Sequence, residues 1–178
     1  MSIAANVFAL SIQDAENLLK HFDALNTHPP PPEIEVLKRA GLILAMTAWE
    51  TYVEDRVQEA AETRVAGLPD APIATFFKAK LAEETRRLHN PNSEKTAQLF
   101  HDYAGVDVTK KWAWNQHEPT LVRDRLDQYM KLRGDIVHRS RALGDGKPMP
   151  HAVKREDLER AINFLKRLVA ATEAAFPE

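Results

Sequence analysis

Apolar side chains in this chain recur at steps of three and four in one segment after another, and only 6 glycines interrupt its 178 residues. That spacing is the period of a helix face, whereas a half-buried strand alternates every second residue. Alternating β-branched and aromatic runs closed by Asn-Gly or Asp-Gly turns are missing. The pattern predicts an all-α fold of about five to six helices, in a single domain over residues 1–178.

The first segment, roughly residues 3 to 26, puts Phe8, Ile12, Ala15, Leu19 and Phe22 on one helical face. The run Pro29 to Pro32 ends it, because consecutive prolines cannot supply helical donors. The second, about 34 to 66, is apolar on more than one side through Leu42, Ile43, Leu44, Ala45, Met46, Ala48, Trp49, Tyr52 and Val53, which predicts the central helix. After Pro69 and Pro72 a shorter helix, about 73 to 89, offers Ile73, Phe77, Leu81 and Leu88. Asn90-Pro91-Asn92-Ser93-Glu94 reads as a stop and restart, with Asn92 or Ser93 as N-cap and Gly105 as the following C-cap. Residues 105 to 117 form a loop with Trp112 and Trp114. A long helix over about 118 to 142 ends at Leu143-Gly144-Asp145-Gly146, and a last one, about 154 to 176, buries Leu158, Ala161, Ile162, Leu165, Leu168, Val169 and Thr172.

Composition excludes more than it selects. The formal net charge is −2, and with no cysteine there are no disulfides, thiol nucleophiles or zinc knuckles, which suits a reducing cytoplasm. The first basic residue is Lys20, so no secretory leader is expected, and the uncharged run Ala40 to Trp49 is too short for a membrane span. Charge is nonetheless uneven. Residues 1 to 60 hold 4 basic and 9 acidic side chains, and residues 110 to 167 hold 14 basic and 8 acidic ones. The positive half would favour a polyanion, although solvated faces of amphipathic helices produce the same counts.

One constellation carries chemistry. The buried stripe of the fifth helix runs through 122, 126, 129, 130, 133 and 137, and position 133 is arginine. A guanidinium on an apolar face needs a carboxylate, an anion or a wet interface. His138 follows five residues later, about 140° around the axis and about 7.5 Å along it. Two copies related by a two-fold axis would bring each Arg133 toward the other's His138. Gly134, one turn before His138, leaves space for a partner helix or ligand. The plainer reading pairs Arg133 with Glu50 or Glu54 of the central helix and leaves His138 on the surface.

Arg133-Gly134-Asp135-Ile136-Val137-His138 fits the R-x4-H form of the signature of HEPN domains, late in a penultimate long helix. Ala48-Trp49-Glu50-Thr51-Tyr52-Val53-Glu54, the Asn90 to Glu94 segment with Leu99-Phe100, and Gly105-Val106-Asp107-Val108 resemble the RiboL-PSP-HEPN branch. The resemblance covers roughly residues 34 to 170. It implies a dimeric helical bundle that cuts RNA without metal or other cofactor, at a cleft lined by Arg133 and His138 of both protomers. Asp135 and Glu50 are then supporting residues, with Arg139 and Arg141 contacting RNA. The setting it implies is bacterial defence or toxin–antitoxin systems, with a neutralising antitoxin or a nucleotidyltransferase-type protein as partner. The residue after the family's arginine is often polar, commonly Asn, where this chain has Gly134. Some HEPN domains are noncatalytic modules that bind RNA, nucleotide or protein, and a purely structural dimerisation bundle is the third alternative.

Other signals are weaker. The seven histidines, at 21, 28, 89, 101, 117, 138 and 151, include no H-E-x-x-H and no i, i+4 pair, so no metal site is expected. Gly144-Asp145-Gly146-Lys147-Pro148 lacks the Walker A spacing and reads as a turn. Trp112 and Trp114 beside Lys110 and Lys111 suit base stacking, but equally one ring can plug the bundle end while the other is partly exposed.

Overall fold

A computed structural model of the protein describes residues 1–27, 31–68, 71–138, 142–143, 147–148 and 153–176, without the side chains of 32, 138, 142, 143, 147 and 148. Among them are six α-helices: α1 (Ile3–Leu25), α2 (Glu35–Val65), α3 (Pro72–Arg87), α4 (Ser93–Ala104), α5 (Pro119–His138) and α6 (Arg155–Glu173). Short 3-10 turns at Pro32–Ile34 and Val108–Lys111 precede α2 and follow α4. The all-α expectation holds. Its one exception is a ribbon of two-residue strands, β1 (Ala142–Leu143) and β2 (Lys147–Pro148), with Ala142 opposite Pro148 and Leu143 opposite Lys147. The fifth helix was expected to run to 142. Its described part ends at His138 and Ala142 is extended, so the helix does not reach 142; residues 139–141 and Gly144, Asp145 and Gly146 lie outside the described residues, as do Pro29, Pro30 and Pro69.

Local chemistry sets several of the helix ends. Ser2 caps α1 by accepting the Ala5 N–H, and Pro72 opens α3, where a missing N–H costs nothing. The Asn92 side chain accepts the Lys95 N–H at 2.9 Å to start α4. Gly105 ends that helix at φ 74°. A β-carbon there would meet only the movable end of the exposed Arg64 side chain, so it is the left-handed backbone that favours glycine.

The 31 residues of α2 pack against every other α-helix. Leu42, Ala45, Met46, Trp49, Tyr52, Val53 and Val57 are all buried, so the helix predicted to be central is central. Trp49 lies tilted against Tyr52 at 5.6 Å and edge-on to Trp112 at 6.0 Å. Trp112 is fully buried and donates its indole N–H to Thr172 Oγ1 at 2.9 Å. It plugs the bundle, while Trp114 is half-buried. Three expected core positions face outward instead: Leu44, Ile73 and Val137. Ala74 takes the inward place beside Ile73, while Phe77, Leu81 and Leu88 pack as expected.

Glu173, at the end of α6, ties three elements together. Its carboxylate accepts the Ser2 N–H at 3.1 Å, the Ser2 hydroxyl at 2.9 Å, the Tyr52 hydroxyl at 2.8 Å and the Arg56 Nε–H at 2.8 Å. Burial opposes its ionisation, but these donors outweigh burial and hold the carboxyl below its ordinary 4.5. A carboxyl with a lowered folded pKa stabilises fully above its unfolded value, and that stability is lost as pH falls through the folded value. Glu173→Gln is therefore expected to cost about 1–3 kcal/mol at neutral pH and to flatten the acid limb of stability below about pH 4.5. Urea unfolding of both proteins across that range tests this; parallel acid limbs would remove Glu173 as the titrating group.

Candidate functional site

The side chains around Arg133 come from three separate parts of the chain. On α2, Trp49 and Glu50 are consecutive, and each holds the segment between α3 and α4. The Trp49 indole donates to the Pro91 carbonyl at 3.1 Å, and the Asn90 N–H donates to Glu50 Oε1 at 3.3 Å. Asn90 sits at φ 54°, in the left-handed region that asparagine tolerates better than most residues. From the far side α5 grips the same segment. Asp127 accepts the Ser93 N–H and the Ser93 hydroxyl, each at 2.8 Å, a carboxylate placed at the positive end of α4. Lys95 reaches back to the His89 carbonyl at 2.7 Å.

Arg133 projects from α5 into this frame. Its Nη2 is 3.2 Å from Glu50 Oε2, and its Nη1 donates to the side-chain oxygen of Asn90. The guanidinium is only about one-fifth exposed, and its Nε–H has no hydrogen-bond partner among the described residues. Glu50, Asn90 and Arg133 thus form a closed triangle in which the carboxylate holds both the guanidinium and the backbone N–H of the asparagine whose side-chain amide also holds that guanidinium. A fixed guanidinium keeps its remaining donor directions for a second ligand with little rotamer entropy to lose.

Beside Arg133, a β-carbon added at Gly134 would meet no atom within 4 Å, and Val137, one turn on, is 48% exposed. This part of α5 therefore presents an open, shallow surface. Asp135 is half-buried on the same helix, but the contacts that hold Arg133 come from Glu50 and Asn90. His138 is the last residue of α5. Its side chain, and the whole of Arg139 and Arg141, lie outside the described residues.

Between α2 and α3, next to Glu50, a cavity of about 420 Å³ is lined by Glu54, Asp55, Arg86 and His89 among others. Burial pushes the Glu54 carboxyl above its ordinary value, and the neighbouring Glu50 and Asp55 charges push it further, with His89 opposing. Burial alone raises Asp55. One side of the Arg133 triangle is thus acidic. Among the described residues no group of His, Asp and Glu is arranged to hold a metal ion.

The sequence pointed to Arg133 and to Glu50, and the fold brings them together. It did not point to Asn90 as a contact, nor to Asp127. Asn90 carried a local signal, its position before proline, but the partner that uses its amide lies 43 residues away.

The protein family described as RiboL-PSP-HEPN matches residues 10–177 of this chain. No curated protein and no solved structure matches it.

Two stability predictions follow from this geometry. Asn90→Gly keeps the left-handed backbone and removes the amide, and should cost about 1–2 kcal/mol in urea unfolding. Asn90→Ala adds the steric penalty of a β-carbon at positive φ and should cost about 1 kcal/mol more; equal losses would show that the backbone conformation contributes nothing. Glu54 has a raised folded pKa, so its contribution is fully present below the ordinary value and is lost as pH rises through the raised one. Glu54→Gln should accordingly raise the melting temperature at about pH 7 and leave it unchanged at about pH 4, measured by calorimetry.

Proposed function

The chain belongs to the RiboL-PSP-HEPN family, and from that premise we propose that it is a homodimeric, metal-independent endoribonuclease whose composite site uses Arg133 and His138 of both protomers. The observation that carries the reading is the Glu50–Asn90–Arg133 triangle, which holds a guanidinium beside the open surface at Gly134. The exposed Val137 and the bare Gly134 make that helix face suitable for close approach by a second α5. His138 lies on the same helix, about 7.5 Å further along.

The chemistry needs little from the protein, because RNA carries its own nucleophile. One His138 takes the proton of the 2′-hydroxyl as its oxygen attacks phosphorus. The partner subunit's His138 gives a proton to the departing 5′-oxygen as the P–O5′ bond breaks. Arg133 donates to the equatorial phosphate oxygens as charge builds on them. The products are a 2′,3′-cyclic phosphate and a 5′-hydroxyl, and DNA is resistant. Glu50 and the Asn90 side chain orient Arg133. Asp135 supports the site from α5, while Arg139 and Arg141 contact the RNA backbone. A cytoplasmic defence or toxin–antitoxin setting, with a neutralising antitoxin or nucleotidyltransferase-type partner, fits this activity.

A specific observation favours a second reading, that of a noncatalytic RNA-, nucleotide- or protein-binding module. Glu50 offsets the Arg133 charge, and Glu54 and Asp55 line the same cavity as Glu50, which lowers the local attraction for phosphate.

One experiment separates the two. Wild type, Arg133→Ala and His138→Ala are incubated with total and synthetic RNA in excess EDTA, and the fragment ends are analysed. Cyclic-phosphate ends from wild type, with losses of about 10²–10⁴-fold in each variant, are expected. Intact RNA throughout would select the binding module, and a monomer at every concentration in sedimentation would remove the composite site.

A further inference from the structure

A second concave site lies between α5 and α6, toward the N-terminal half of α5, and shares no residue with the Arg133 triangle. Arg160, Phe164 and Arg167 fall at steps of four and three on one face of α6, and Arg125 and Tyr129 are one turn apart on α5. Together with a tight turn in which Trp114 and His117 exchange backbone hydrogen bonds at 3.2 and 2.9 Å, they enclose a cavity of about 420 Å³. That volume lies within the ordinary range for a small-ligand site.

Two kinds of wall meet there. The first is aromatic: Trp114 stacks on His117 at 5.6 Å with ring planes 20° apart and meets the edge of Phe164 at 5.7 Å, while Tyr129 tilts against Phe164 at 5.4 Å. The rings hold one another, so the wall is set before any ligand arrives. The second is cationic. Arg160 reaches Asp157 at 3.4 Å, and among the described residues Arg125 and Arg167 have no carboxylate partner. Three guanidiniums around one opening repel, and an anion with several oxygens relieves that repulsion.

A bare phosphate would leave the rings unused, and an uncharged aromatic ligand would leave the arginines unused. We propose that this cavity binds a nucleotide unit, with the base against the Trp114 wall and the phosphate among Arg125, Arg160 and Arg167. A free nucleotide and one residue of an RNA strand share this chemistry. The proposal does not require Arg133 to cleave anything.

The test uses calorimetric titration of the wild-type full chain with four probes: AMP, adenosine, pyrophosphate, and a short 2′-O-methyl RNA, which lacks the 2′-hydroxyl and so survives any cleavage activity. AMP, the 2′-O-methyl RNA or both should bind at least about tenfold more tightly than adenosine and pyrophosphate. Binding by both or by AMP alone identifies a free-nucleotide site, and binding by the strand alone identifies an RNA subsite. Arg160→Ala/Arg167→Ala, at two exposed positions that leave the helix face and Phe164 intact, should weaken the bound probe about tenfold or more. Pyrophosphate binding as well as AMP and the strand, adenosine binding as well as either, no binding of AMP or strand, or an unchanged affinity in the double variant would each overturn the proposal. Loss of ribonuclease activity in other variants has no bearing on these titrations.

Discussion

A buried indole decides where the chemistry of this molecule can sit. Trp49 has no solvent exposure, so its N–H must find an acceptor inside the protein, and it takes the Pro91 carbonyl. An unsatisfied donor at that depth would cost about 1–3 kcal/mol, more than a satisfied one contributes, so the contact acts chiefly as a constraint on where residues 90 and 91 lie. Because Glu50 is the next residue on α2, the same stretch of helix that receives Pro91 also presents a carboxylate to Asn90 and Arg133. Core packing and site geometry thus share one backbone segment, and rotation of α2 would undo both.

The distribution of charge follows the same division. The first third of the chain is acidic, and α2 delivers Glu50, Glu54 and Asp55 to one side of the Arg133 triangle. The last third is basic, and α5 and α6 deliver Arg125, Arg160 and Arg167 to the cavity between them. The Arg125, Arg160 and Arg167 cluster attracts a polyanion, and the Glu50, Glu54 and Asp55 cluster opposes one locally. Raised salt weakens both effects.

Helix existence was legible because periodicity is a local property. The stripes of α1, α2 and α6 pack as their spacing predicted, and Asn92 and Gly105 cap α4 for reasons visible in a few residues. Helix ends and rims were less legible. Val137 continues the apolar spacing of α5 but emerges at the surface, since the pattern records a face and not whether another element covers it. The Asp-Gly pair at 145–146 is a hairpin signal, and β1 and β2 pair around it, yet the flanking strands are too short to alternate. Of the site, Arg133 was conspicuous because a guanidinium on an apolar stripe demands a partner, and Glu50 was among the carboxylates considered. Asn90 and Asp127 were not, because their contacts cross 43 and 34 residues and have no periodic signature.

The triangle of Glu50, Asn90 and Arg133 also bears on how such a chain can be recombined. Its three corners lie in α2, in the connection between α3 and α4, and in α5, so any crossover between residues 50 and 133 splits the set between two parents. A chimaera that imports α5 alone brings an arginine whose carboxylate and amide belong to the other parent. Successful grafts should move residues 49 to 133 as one block, even though only a few side chains within it touch the guanidinium. Sequence exchange in the α1 segment faces no such linkage to this cluster.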